Sequence, residues 1–184
     1  MSNLVWYELK SPTNLNHIQI LTNAHKVVKI DSENFDIHKD IIESSILKFN
    51  SEIKWDGMWD IQEAHERLLR KNTLYLFLKN NSPIGHVWYI GEYLFNAFVS
   101  KDRENGESQW FIQETIHDVF KNGYTTITLY TEEWNKRAIG FWEKLGFTII
   151  NKNDLIDYGR KYIPQTQRNN RTNQREESKR EGTN

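Results

Sequence analysis

The sequence contains no cysteine, which excludes disulfide bonds, thiolate metal sites and cysteine nucleophiles. Long apolar runs are also missing, so we expect no membrane span, and Met1–Lys10 lacks the pattern of a signal peptide. Histidines at H-x-x-H or H-E-x-x-H spacing do not occur, which predicts that the protein binds no metal. We therefore expect a cytoplasmic protein that uses neither a cysteine thiol of its own nor a metal ion.

The chain has little net charge. Its formal charge of -1 gives no basic surface of the kind that binds nucleic acid without sequence preference. Residues 165–184 differ from the rest because they hold five basic residues, three acidic residues and no large apolar one. Such a segment cannot bury enough surface to offset its ordering entropy, which predicts a disordered polar tail. The alternative is an arm for an acidic partner, which the interspersed glutamates disfavour.

The chain is long enough for one domain with a sizeable core, since 38% of its 184 residues are apolar. Alternating or β-branched runs predict strands, and apolar residues at helical spacing predict helices. The predicted strands cover 4–9, 17–21, 26–30, 73–79, 84–90, 94–99, 124–130, 147–150 and 157–163. The predicted helices cover 36–49, 60–71, the pattern through 112–120 and the segment after Asn135.

The segment Asn135–Phe147 predicts a capped helix that leads into a strand. Asn135 is a favourable N-cap residue. Apolar residues at i, i+3, i+4 and i+7 form one stripe, namely Ala138, Phe141, Trp142 and Leu145. Gly146 supplies a left-handed stop, after which the chain turns into a β-branched run. By itself, such a unit occurs in many folds.

A second motif lies upstream, where a predicted strand ending at Val99 is followed by the loop Arg103–Ser108 and then by a helical pattern. A glycine-containing loop at the start of a helix suits phosphate, because the first-turn amides have no internal partner and the helix dipole favours an anion. A lone motif of this kind is weakly specific. Its order and spacing relative to Asn135–Phe147 make the pair more informative.

Together the two motifs resemble the pyrophosphate loop and the last signature motif of the GNAT N-acetyltransferases. The resemblance implies an α/β (α+β) fold: a single mixed, mostly antiparallel sheet, flanked by helices, in which two central parallel strands splay apart. It also implies three regions, an N-terminal extension with short strands (1–25), a GNAT-like acyltransferase domain (26–164) and the tail (165–184). A homodimer is compatible with this organisation.

The same resemblance implies that the protein transfers an acetyl group from acetyl-CoA to an amine. The pantetheine arm would enter between the splayed strands, here 93–99 and 124–130. Backbone near Phe98 and Val99 would face the thioester, and Asn135 would contact the pantetheine or its phosphate end, although Asn135 equally suits a plain helix cap. The residues expected to hold the diphosphate are Arg103, Gly106, Ser108 and Gln109.

Glu92 is the expected general base. It lies eleven residues before Arg103, in a segment similar to the one that carries the catalytic glutamate of histone-type GNAT enzymes. On a strand, Glu92 and Asn96 would share a face and point toward the acceptor. The alternatives are a solvent-exposed Glu92 without a role, and His86 as the base, although a strand histidine is more often structural.

Two departures from the family pattern bear on the chemistry. The family usually has Tyr where this chain has Trp142, and an indole N–H cannot supply the proton that a leaving thiolate takes up. Tyr130 is the expected substitute, with two later tyrosines or water as alternatives. In the phosphate loop, Glu104 and Glu107 would lower affinity for a diphosphate unless they point away from it.

The sequence leaves the acceptor open. In this family the first two helices and their connecting loop shape its pocket, and here that loop carries Glu52, Trp55, Asp56 and Trp59. Aromatic rings and carboxylates suit a cation, although the tryptophans equally suit packing under a long loop. A catalytically impaired GNAT-fold binding protein, another acyl donor and a nucleic-acid amine are the alternative functions.

Overall fold

A single seven-stranded sheet organises the chain. The computed structural model describes residues 5–13, 23–53 and 59–154. The strands are β1 (Val5–Lys10), β2 (His25–Ile30), β3 (Thr73–Lys79), β4 (Ser82–Ile90), β5 (Tyr93–Val99), β6 (Thr128–Glu132) and β7 (Thr148–Asp154). The helices are α1 (Phe35–Ile53), α2 (Ile61–Leu69), α3 (Glu107–Lys121) and α4 (Lys136–Lys144). The predicted strands 17–21 and 157–163 and the tail 165–184 lie outside the described residues.

The strand order is β2-β3-β4-β5-β6-β1-β7. β5 and β6 are parallel, and all other neighbouring strands are antiparallel. The predicted fold class, a mostly antiparallel sheet with a central parallel pair, is therefore confirmed. β1 comes from the region expected to be an N-terminal extension, and it lies inside this sheet, between β6 and β7.

Two hydrophobic layers cover the two faces of the sheet. On the α3/α4 face, strand residues such as Leu9, Leu94 and Leu129 pack against α3 and α4. On the α1/α2 face, Leu76 and Trp88 pack against α1 and α2. Successive strand residues alternate between the faces, so a residue's buried neighbours show which way it points.

Local sequence signals shape the ends of several elements. Asp60 caps α2, its side chain accepting the Glu63 N–H at 2.7 Å. Gly146 has a φ of 86°, the left-handed conformation that ends α4 before β7. The turn between β3 and β4 places Asn80 and Asn81 at positive φ, which asparagine tolerates better than most residues.

The predicted strand 124–130 is wrong in its bounds, because the ladder covers Thr128–Glu132 instead. β5 begins at Tyr93, which pairs with Thr128, so the residues before Thr128 have no residue of β5 beside them. Ile127 is held by Ser11, whose N–H donates to the Ile127 carbonyl at 2.8 Å. The parallel pair is therefore short, which matters for the site described next.

Candidate functional site

The two parallel strands separate almost as soon as they meet. Their ladder consists of Tyr93 opposite Thr128 and Leu94 opposite Leu129. The next residue of β5, Phe95, is a bulge, since Trp88 pairs with Asn96 and Tyr89 with Leu94. A bulge bends its strand and ends regular pairing. From this level onward, β5 and β6 diverge and leave a gap in the sheet.

A cleft of about 300 Å³ lies beyond this divergence, between the end of β5 and the start of α4. Its wall comes from the end of α1, from β5, from the loop after β5 and from the starts of α3 and α4. The lining residues are Glu52, Ile53, Ala97, Phe98, Val99, Lys101, Arg103, Ser108, Ile112, Asn135, Arg137, Ala138, Phe141 and Trp142. Five residues predicted for the acetyl-CoA site are therefore brought together, namely Phe98, Val99, Arg103, Ser108 and Asn135.

The start of α3 lines this cleft through Ser108. Gly106 is the N-cap, at a φ of 89°, and the first helical hydrogen bond runs from the Trp110 N–H to its carbonyl at 2.9 Å. The first-turn amides before Trp110 thus have no carbonyl four residues back within the helix. The buried hydroxyl of Ser108 has no hydrogen-bond partner. Such an arrangement suits an anion with several acceptor oxygens.

Three basic residues of the cleft also favour an anion. Lys101 and Arg103 follow β5 directly, and Arg137 lies in the first turn of α4. Arg103 also donates to the Ser100 carbonyl at 2.9 Å, which fixes its stem along the loop. Sequence reasoning did not select Arg137. Its only signal was a basic residue two positions after the Asn135 cap.

The two glutamates of the phosphate loop do not oppose an anion in the way their sequence suggests. Glu107 is fully buried, and its Oε1 lies 2.8 Å from Lys79 Nζ and 2.6 Å from His25 Nε2. Its Oε2 accepts the Glu104 N–H at 2.6 Å. The Glu104 carboxylate also pairs with Lys79, at 2.7 Å. Both carboxylates therefore point to Lys79, on the protein side of the loop.

These contacts lower the pKa of the Glu107 carboxyl. Burial by itself raises the pKa of Glu107, but the hydrogen bonds from Lys79, the Glu104 amide and His25 outweigh it and hold the pKa below its ordinary value. Glu107 is thus a charged anchor beneath the loop. It holds the first turn of α3 against β2 and β3, while Ser108 of the same turn lines the cleft.

Glu52 also braces the loop. Its Oε1 accepts from the Ser100 hydroxyl at 2.5 Å, and its Oε2 accepts from the Lys101 N–H at 2.9 Å. The sequence analysis considered Glu52 as part of an amine pocket, together with Trp55, Asp56 and Trp59. The structure instead ties its carboxylate to the start of the phosphate loop, and Trp55 and Asp56 lie outside the described residues.

Asn135 and Trp142 show how α4 contributes. The Asn135 side chain accepts the Ala138 N–H at 3.1 Å, so it acts as the helix cap and lines the cleft at the same time. Trp142 is buried with 6% exposure and packs against Phe141 and Phe147 at ring-centroid distances of 5.1 and 5.2 Å. Trp142 is thus a core residue whose edge reaches the cleft wall.

Behind the cleft, on the α1/α2 face, a buried histidine connects α1 to β5. His86 Nδ1 lies 3.0 Å from the Ser45 hydroxyl, and its Nε2 lies 3.1 Å from Oδ1 of Asn96. Burial lowers the pKa of His86 to about 4, so the ring is uncharged at pH 7. Because Asn96 Oδ1 can only accept, the proton sits on Nε2 and Ser45 donates to Nδ1. His86 is therefore a structural link rather than an exposed base.

An aromatic row continues along this face. The Trp59 ring stacks toward Phe95 at 6.5 Å, and the Arg67 guanidinium lies over both rings, 4.5 Å from the Trp59 centroid and 5.2 Å from that of Phe95. Arg67 is also paired with Glu63 at 2.5 Å. Trp59 thus packs under an intramolecular cation, the packing alternative of the sequence analysis.

The remaining predicted site residues lie outside the cleft lining. Glu92 is exposed and lies in the turn before β5, where its carbonyl accepts the Thr128 N–H at 3.0 Å. Glu92 and Asn96 do not share a strand face as predicted, because Glu92 precedes the strand and the Phe95 bulge breaks the alternation. Tyr130 lies on β6, with its ring 5.7 Å from that of Tyr93. Gln109 is half-buried on α3.

Within the described ranges, no group of three or more histidine or acidic side chains is arranged to hold a metal ion. None of the helices in that same part of the chain is long and apolar enough to cross a membrane.

Known proteins resemble this chain in sequence and in fold. The model of the GNAT acetyltransferase family matches residues 38–147. The peptidyl-lysine N-acetyltransferase YjaB of Salmonella typhimurium is 26% identical over 83 residues, which cover 45% of this chain and 54% of that protein. The chain thus spans about half the length of this curated relative.

Two solved structures show the similarity of fold. A tandem GNAT protein from the clavulanic acid biosynthesis pathway superimposes with a TM-score of 0.61 at 10% identity, covering 84% of this chain and 53% of that one. An aminoglycoside acetyltransferase from an uncultured soil metagenomic sample gives 0.56 at 14% identity, covering 68% and 90%. At such identities, the likeness concerns the fold alone.

Proposed function

Because the chain belongs to the GNAT acetyltransferase family, we propose that it transfers an acetyl group from acetyl-CoA to an amine. The observation that carries the proposal is the cleft at the divergence of β5 and β6, with the start of α3 on its wall. A parallel pair that opens after two residue pairs offers a narrow channel through the sheet, with backbone groups of β5 exposed along it.

The residues present fit the diphosphate and the arm of acetyl-CoA. Ser108 supplies an unpartnered buried hydroxyl, and the first-turn amides of α3 supply donors. Lys101, Arg103 and Arg137 supply positive charge at the same cleft. When bound, acetyl-CoA supplies an activated thioester carbonyl. Gly106 and Gln109, next to Ser108, remain predicted contacts of the diphosphate.

The chain's own groups have three tasks in such a transfer. They polarise the carbonyl, accept a proton from the amine and return a proton to the sulfur. The backbone of β5 beyond Phe95, near Phe98 and Val99, is the proposed partner of the carbonyl. Glu92 is the base that the sequence favours, and Tyr130, on β6 at the level of the divergence, is the proposed acid.

The acceptor is proposed to approach from the α1/α2 face. Lysine side chains and aminoglycosides are two amine classes suggested by the names of the related proteins. An amine on nucleic acid and a different acyl donor remain alternatives from the sequence. A cytoplasmic location likewise stays a prediction.

One observation favours a second function. The position where the family usually has a tyrosine is filled by Trp142, a buried residue that packs as core. A GNAT-fold protein that binds acetyl-CoA without turning it over would have this property. Turnover is therefore the deciding measurement.

The experiment has two stages. Calorimetric titration with acetyl-CoA and with CoA measures binding, and release of free thiol in the presence of an amine panel measures transfer. The panel should hold a lysine peptide, a peptide N-terminus, a polyamine and an aminoglycoside. Binding with turnover supports the acetyltransferase, binding without turnover supports the binding protein, and absence of binding rejects both.

A further inference from the structure

The N-terminal strand brings a buried carboxylate to the acceptor side of the divergence. β1 pairs with β6 so that Glu8 lies directly opposite Tyr130. Side chains directly opposite each other in an antiparallel pair lie on the same face, with Cβ atoms about 4.5–5.5 Å apart. Glu8 and Tyr130 are therefore immediate neighbours on one face.

That face is the α1/α2 face. Leu9 is fully buried in the layer formed with α3 and α4, as is Leu129, so Glu8 and Tyr130 point to the opposite side. The Tyr130 ring packs on Tyr93, which borders Phe95 with centroids 6.3 Å apart. Glu8 itself is only 7% exposed. A carboxylate is thus held beside the aromatic row rather than left in bulk solvent.

The pair also stands level with the start of the divergence between β5 and β6. The β5–β6 ladder ends with Leu94 opposite Leu129, and Tyr130 is the first residue of β6 beyond it. Phe95 is the matching first residue of β5. Glu8 and Tyr130 therefore flank the point at which the sheet opens. Glu92 lies before the first pair of the ladder, in a turn, and is exposed.

We propose that Glu8, rather than Glu92, accepts the proton of the attacking amine, a role that rests on the proposed acetyl transfer. The acceptor ammonium first loses one proton to water. As its nitrogen forms the C–N bond, Glu8 takes the second proton. When the C–S bond breaks, Tyr130 gives its phenolic proton to the sulfur, and the proton held by Glu8 then restores the phenol. The products are an amide and a free thiol, and both side chains return to their starting state.

The test compares three variants with the native chain, using the amine that gives the highest native turnover. Glu8→Gln should lower kcat by roughly 10²- to 10⁴-fold, the usual contribution of a general base. The Kd for CoA should change less than twofold, because Glu8 is not among the residues that line the cleft. A purely structural role would alter CoA affinity and the melting temperature together.

Glu132→Gln is the matched control. Glu132 lies on the same strand, β6, two residues beyond Tyr130 and opposite Trp6, so the variant removes one negative charge near the site without touching the proposed base. It should keep kcat within about threefold of the native value. An equal fall in both variants would mean that general charge, not proton transfer, is responsible, and would overturn the proposal.

Glu92→Gln separates the two carboxylates. If it lowers kcat and Glu8→Gln does not, Glu92 is the base and the proposal is wrong. Should Glu8→Gln fail to fold, Glu8→Asp gives the decision, since a shortened carboxylate should lose at least tenfold in kcat, and unchanged kcat would reject the role. Native protein that turns over no amine rejects the acetyl transfer itself, and Glu8 as base with it.

Discussion

Nε2 of His25 lies 2.6 Å from Oε1 of Glu107, and both side chains are almost entirely buried. The pair joins an edge strand of the sheet to the first residue of α3, across 82 positions of sequence. Lys79 completes the contact. The loop that faces the cleft is therefore held from the strand side, and its shape depends on residues that touch no ligand.

Replacing Glu107 with Gln should destabilise the fold and weaken CoA binding. The amide keeps the size of the side chain but removes the charge that Lys79 and His25 face, at a cost of about 1–3 kcal/mol. Because the pKa of Glu107 is lowered in the folded state, its contribution is present above the ordinary carboxyl pKa and is lost as pH falls from that value through the lower folded pKa. Denaturant melts should show a larger difference between Glu107→Gln and the native chain at pH 7 than at pH 3.5. Equal differences at both pH values would contradict the assignment.

Gly106 and Gly123 offer a matched pair for testing the phosphate loop. Both have a left-handed φ, 89° and 95°, and a Cβ at either would meet nothing within 4 Å. They bound α3 at opposite ends. Gly106→Asp and Gly123→Asp should each lose about 1–2 kcal/mol from the backbone conformation. Only Gly106→Asp should abolish the thermal shift produced by acetyl-CoA, because it puts a negative charge at the predicted diphosphate site. A retained shift would remove the loop from the site.

His86 should make the fold sensitive to mild acid. Its folded pKa of about 4 lies below the ordinary value of 6.5, so the unfolded chain binds the proton first and stability falls between these two values as pH is lowered. The loss should approach roughly 3 kcal/mol. His86→Gln can still link Ser45 to Asn96 but does not titrate. Chemical denaturation from pH 7 to pH 4 should therefore show a steeper decline for the native chain, and parallel curves would disprove the explanation.

Trp142→Tyr should decide what the unusual residue does. If Tyr130 supplies the proton, the variant should keep turnover within a few-fold and lose stability by about 1–2 kcal/mol through the smaller ring. Trp142→Phe is the control, since it loses similar area without gaining a hydroxyl. Turnover that rises in the tyrosine variant alone would show that the native chain lacks an effective acid. Steady-state rates on the amine panel provide the measurement.

Much of this architecture follows from short-range signals. The Asn135 cap, the left-handed Gly146 and the bounds of β3 depend on residues within a few positions of one another, and the structure has them as predicted. The mixed sheet follows from the resemblance to a known family. Five predicted acetyl-CoA contacts line one cleft, because they stand at the ends of elements that the sheet order brings together.

What escaped prediction depends on distant partners. The orientation of Glu107 is set by Lys79 and His25, neither of which is near it in sequence. The bulge at Phe95 follows from the register with β4, and it undoes the alternation that linked Glu92 to Asn96. The residue pattern of one strand does not determine its pairing register with the neighbouring strand.

The placement of β1 also governs how the protein can be assembled. Among the described elements, synthesis delivers residues 5–10 before the others, yet both partners, β6 and β7, are among the last to be made. Contacts of such long sequence separation are slow to form, because a large loop must close before they stabilise anything. Until then β6 is tied to β5 by two residue pairs only, with its other edge open. Removal of β1 therefore acts on the last step of sheet closure, and chains without it are expected to aggregate through the exposed edges before they lose their helices.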